Sequence, residues 1–104
     1  MFTINNETWH IKFVHPHDHN LMRSDGSYTC AVTDDIDKTI YLSDDLYGEM
    51  LRHVLGHEIT HVFCFSLNIY LNTQQEEQLA DFVTNYARDI VHLTDELYKR
   101  INEE

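Results

Sequence analysis

A chain of 104 residues has room for one hydrophobic core, and three glycines, one proline and 42% apolar residues describe a single folded domain over residues 1–104. Seven basic side chains against 18 acidic ones give a formal net charge of −11, which repels phosphate backbones and argues against direct nucleic-acid binding. No apolar run is long enough to span a membrane, "MFTINNETWH" lacks the pattern of a secretory signal, and two cysteines are too few for a disulfide scaffold, so a cytoplasmic setting is expected.

The first predicted element is a strand over residues 8–14 (TWHIKFV), where Trp9, Ile11 and Phe13 alternate with His10 and Lys12. "HPHDHNLMRSDGS" follows as a loop, with Pro16 and the Asp25-Gly26 pair as turn residues. "YTCAVTD" and "KTIYLS" read as two more strands, joined by a turn at "DDID". A helix is expected next, capped by Ser43 or Asp44, with acidic residues in its first turn. Leu46, Met50, Val54, Leu55 and Ile59 supply its apolar face, and it runs to about Ser66. A second helix starts at Thr73, which with Glu76 fits a capping box. Its apolar stripe, through Leu79, Phe82, Val83, Tyr86, Ile90, Leu93, Leu97 and Ile101, continues almost to the C-terminus, with Leu79, Phe82 and Val83 expected toward the core. A short three-stranded sheet followed by a motif-bearing helix and a long C-terminal helix is an α+β plan.

The first helix carries "RHVLGHEITHVF" (residues 52–63), in which His57, Glu58 and His61 stand in the order H-E-x-x-H. Random order would produce that spacing about 0.05 times in a chain of this composition, and a helix gives it meaning: residues i and i+4 share a face and can share a metal ion. Two imidazoles do not complete a zinc site, and a straight helix cannot wrap a tetrahedron around one ion. His53 and Cys64 lie on the same stripe but are displaced along the axis by about 4.5–6 Å, beside the ion rather than at it. In the second helix Glu77 and Asp81 are four apart on one face. With Glu76 expected in the cap, Glu77 is the expected third ligand. Asp81 is placed to accept the other N–H of a ligand histidine. The triplet His15, His17 and His19 sits in the Pro16 loop without a carboxylate to orient its rings, and is read as an exposed loop.

"LGHEITH" followed by "EEQLAD" resembles the gluzincin plan, and the few strands and "E-x-x-A-D-F" are most similar to the minimal gluzincins of the ImmA/IrrE type, common on phages and mobile elements. The resemblance covers roughly residues 39–87. It implies a small zincin-like metallopeptidase domain in which His57, His61 and Glu77 bind Zn²⁺ and Glu58 is the general base. Asp81 stands where that family usually has Asn and other gluzincins have Asp. The resemblance also implies a protein or peptide substrate, with a transcriptional regulator as one class, held along a strand edge for which "KTIYLS" is the candidate. Glu58 would take the proton of a metal-activated water and pass it to the leaving amine. Tyr41, Tyr70 and His53 are candidates for stabilising the oxyanion. Two other readings compete: a non-catalytic, zinc-stabilised protein-binding module, and an acidic surface that occupies a basic protein.

Overall fold

A computed structural model of the chain describes residues 1–103. It is α+β, in the order β1 (Phe2–Ile4), β2 (Glu7–Val14), a single 3₁₀ turn (His19–Leu21), β3 (Ala31–Asp34), β4 (Thr39–Ser43), α1 (Gly48–Ser66) and α2 (Thr73–Glu103). The sheet has four strands in the order β1-β2-β4-β3 rather than the expected three. The additional strand is β1, which pairs antiparallel with β2 through Phe2–Trp9, Thr3–Thr8 and Ile4–Glu7. Asn5 and Asn6, both at positive φ (50° and 66°), make the tight turn between them, the conformation asparagine tolerates better than most residues.

β4 lies in the interior of the sheet, parallel to β2 on one side and antiparallel to β3 on the other. All five of its residues are buried. Ile40 and Leu42 face α1 and join Trp9 and Val62 in the core, with Leu51, Leu55 and Ile59 packed around them. The alternate face carries Tyr41 and is covered from the side of the 3₁₀ turn, whose Leu21 is fully buried. Each such fully buried aliphatic side chain contributes about 1.5–3 kcal/mol relative to an exposed one. Trp9 is wholly buried, and its indole N–H donates to Ser66 Oγ (3.1 Å), while Asn5 Nδ2 donates to the Ser66 carbonyl (2.9 Å). The β1–β2 hairpin thus fixes the C-terminal end of α1. The alternation expected for β2 is present, but only Trp9 of its three apolar residues is enclosed, since Ile11 and Phe13 remain exposed.

α1 starts three or four residues later than its sequence suggests. Ser43 ends β4 and donates to Asp45 instead of capping, and Tyr47 is the residue before the helix, with no side-chain cap. Gly48 sets the start because the chain enters the helix there at φ +59°, which glycine adopts without strain. α2 does begin at Thr73, but its cap is Asn72 with Gln75: Gln75 N–H donates to Asn72 Oδ1 (2.8 Å) and Asn72 N–H to Gln75 Oε1 (3.1 Å). Asn72→Ala should therefore lower stability by about 1 kcal/mol in urea unfolding, and Thr73→Ala by only a few tenths.

The two helices run antiparallel, and they meet through small residues: Gly56 of α1 faces Thr84 of α2, and Ala80 is fully buried. Phe82, expected toward the core, is half exposed instead. No helix of the described residues is long and apolar enough to cross a membrane.

Candidate metal centre

α1 projects His57 and His61 toward the start of α2, where Glu76, Glu77 and Asp81 line the facing side, while Glu58 meets Thr33 of β3. One turn of helix separates the two imidazoles, whose ring centroids lie 5.0 Å apart at 64°. Their Nε2 atoms point at the same carboxylate: His57 Nε2 is 3.0 Å from Glu77 Oε2, and His61 Nε2 is 3.0 Å from Glu77 Oε1. Among the described residues this is the one group of three such side chains whose ligand atoms lie within 4.8 Å of one another.

The remaining ring nitrogens are also occupied. His61 Nδ1 is 2.6 Å from Glu76 Oε1, and His57 Nδ1 is 3.2 Å from Asp81 Oδ1. A neutral imidazole has one N–H, yet each ring faces carboxylate oxygen at both nitrogens. If Nδ1 carries the proton on each ring, both Nε2 lone pairs converge on Glu77, and a cation between them satisfies all three groups. Donors about 2.0–2.1 Å from a tetrahedral zinc stand about 3.3–3.4 Å from each other, against 3.0 Å for each Nε2–carboxylate contact and an outer bound of 4.8 Å across the group here. The donor set of two imidazoles and one carboxylate suits zinc and leaves a fourth position for water or substrate.

Glu76 is where sequence and structure part most clearly. It was expected in the helix cap, but Gln75 holds that place and Glu76 orients His61. Thr33 on β3 is a further neighbour that no sequence signal singled out. Its hydroxyl lies 3.2 Å from Glu58 Oε1 and 3.3 Å from the Glu58 carbonyl, so β3 is pinned against the motif.

Glu58 is 7% exposed and does not belong to the three-residue ligand group. Burial raises its carboxyl above the ordinary value of 4.5, against the opposing pull of His61, His57 and the Thr33 hydroxyl, and Glu77 adds to the rise. A carboxyl whose folded pKa is raised binds its proton more tightly in the native state. In metal-free protein, stability should therefore fall as pH rises from the ordinary range through the raised value. Glu58→Gln removes that penalty, so its Tm should exceed wild type at pH 7.5 and match it near pH 4, with both proteins in chelator.

The other sequence candidates lie elsewhere. His53 lines a cleft between the helices with Arg52, Thr84 and Arg88, away from the shared carboxylate. Cys64 is buried, and burial together with Glu76 pushes its thiol up, away from the thiolate a metal needs. Tyr41 cannot serve an oxyanion at this cluster: it sits on the sheet face away from α1, its hydroxyl donates to Asp37, and that bond with burial pushes its pKa up to about 12. Tyr70 is almost fully exposed. In the histidine loop, His15 Nδ1 accepts the His17 backbone N–H and His17 packs on Tyr28, and the three rings form no ligand cluster. β4, which holds all of KTIYLS but Lys38, is paired on both sides and offers no edge for a substrate, whereas β3 and β1 are the edge strands.

Comparison of the chain with protein-family models, with curated proteins and with solved structures returns no match.

Proposed function

We propose that this chain is a zinc-dependent peptidase with a zincin-like domain, hydrolysing a peptide bond in a protein substrate. The observation that carries the reading is the pair of Nε2 atoms converging on Glu77, with Glu76 hydrogen-bonded to His61 Nδ1 and Asp81 3.2 Å from His57 Nδ1. This supports an oriented metal site with ligands from two helices, in which Glu76 fixes the His61 ring and Asp81 stands beside His57. His57, His61 and Glu77 would hold the ion, with Asp81 and Glu76 behind the imidazoles. A zinc ion bound there supplies Lewis acidity, which brings the pKa of water near neutrality and polarises a carbonyl.

Glu58 is the proton carrier. It follows His57 but points about 100° around the helix from it, so it faces the space beside the ligands rather than joining them. Desolvation raises its proton affinity, which suits a base that must accept a proton from water and then release it to a leaving amine. Thr33 holds the carboxylate in position from the sheet. An extended substrate would add to the free edge of β3, the strand that carries Thr33, and main-chain hydrogen bonds would supply much of its binding. The resemblance to the ImmA/IrrE group extends the proposal to a transcriptional regulator as substrate.

The test is a peptide library incubated with zinc-loaded protein. Cleavage that disappears with chelator, returns with added zinc and is absent in Glu58→Gln supports the reading. Cleavage indifferent to all three would assign it to a contaminant and contradict the reading.

A further inference from the structure

α2 is 31 residues long and α1 is 19, so at 1.5 Å per residue the longer helix runs on for roughly 15–20 Å past the end of its partner. The last α2 residue lining the cleft with α1 is Arg88. The radius of gyration is 16.2 Å, against about 13 Å for a compact domain of this length, and the long dimension is 58 Å. From Phe82 onward α2 is not a polar rod. Phe82, Tyr86, Ile90, Leu93, Leu97 and Ile101 form one stripe along the helix, each between 45% and 68% exposed.

Ala80 and Thr84 face α1 with Leu79 and Val83 beside them, and the larger side chains from Tyr86 onward stay about half exposed. The stripe exposes on the order of 650 Å², more than the 300–600 Å² of the largest patch on a typical monomer and near the 800 Å² each partner contributes to a stable interface. Along it Tyr86, Ile90, Leu93 and Leu97 recur at alternating spacings of four and three, the seam of a two-helix coiled coil. A single stripe of this kind is complementary to itself across a twofold axis.

Charge allows the approach. Residues 88–103 carry Asp89, Asp95, Glu96 and Glu103 against Arg88, Lys99 and Arg100, a net of −1 (three minus four). The chain as a whole is at −11. The acidic protein thus concentrates three of its seven basic side chains on the segment that would meet its copy.

We propose that the apolar stripe of α2 is a homodimer interface, occupied by the same stripe of a second copy. Glu77 and Asp81 lie about 160° around the helix from Leu79, so this pairing leaves the histidine cluster open. The inference does not depend on the metal or on peptidase activity.

The experiment is light scattering after size exclusion on the full chain, untagged, over about 10 to 200 µM, beside Leu93→Glu/Leu97→Glu. Both leucines are exposed in the single chain, so the double variant should fold, and fluorescence of the buried Trp9 checks that it has. Wild type should run at twice the 12.4 kDa chain mass and the double variant at 12.4 kDa, with the same Trp9 emission. Phe13→Glu, on the exposed part of β2, should remain dimeric. Monomeric wild type throughout the range would overturn the proposal. So would a double variant that stays dimeric, since another face would then be the interface.

Discussion

Glu58→Gln is expected to reduce peptide hydrolysis by 10²–10⁴-fold while the protein keeps its full complement of zinc. The carboxylate is not one of the three converging ligands, and glutamine has nearly its size, so the substitution removes the proton acceptor and little else. Thr33 can still donate to the amide oxygen, which keeps β3 in register with the motif. The two readouts separate the competing explanations. Loss of turnover with zinc retained makes Glu58 the base. Loss of zinc along with turnover would make it a structural support for the site. Unchanged turnover would remove it from the chemistry.

Glu77→Ala and Glu76→Ala form the second large contrast. Glu77→Ala deletes the carboxylate on which both Nε2 atoms converge, leaving two imidazoles on one helix, and should abolish stable zinc binding. Glu76→Ala leaves all three ligands but frees the His61 ring, which should weaken zinc by 10–100-fold. Competition with a chromophoric chelator measures both. The sequence alone pointed to a different result for Glu76, a loss of cap stability with zinc unaffected. That outcome now belongs to Asn72, whose side chain makes the cap. Equal zinc retention by both variants would place the third ligand elsewhere.

The motif helix and the facing carboxylates were legible because both follow from helical spacing. His57 and His61 are four apart, as are Glu77 and Asp81, and a short connection between two helices brings such faces together. The cap was misassigned because two overlapping pairs, Asn72–Gln75 and Thr73–Glu76, both satisfy the capping-box pattern. The partner across the helix pair, His61 of α1, engages Glu76 and leaves the cap to Gln75. The Asn72–Gln75 pair was readable, and so was the Asn5-Asn6 turn that announces β1. The start of α1 was not set by the best capping residue but by Gly48, where the backbone turns left-handed.

Strand order lay beyond local pattern. "KTIYLS" reads the same at an edge or in the middle of a sheet, and its parallel pairing with β2 is a long-range choice. The apolar stripe of α2 shows the same limit in another form. Periodicity established that the stripe exists, but not what covers it. Ala80 and Thr84, which carry no strong hydrophobic signal, meet α1 alongside Leu79 and Val83 of the stripe.

The zinc content of untagged protein, purified without a nickel column because of the His15–His17–His19 loop, tests the central claim most directly. About one zinc per chain, lost in Glu77→Ala, is the result that the convergence of His57, His61 and Glu77 predicts. A folded protein that holds no zinc after growth and refilling with the metal would contradict it, and would reduce the cluster to an ion-pair network between two helices.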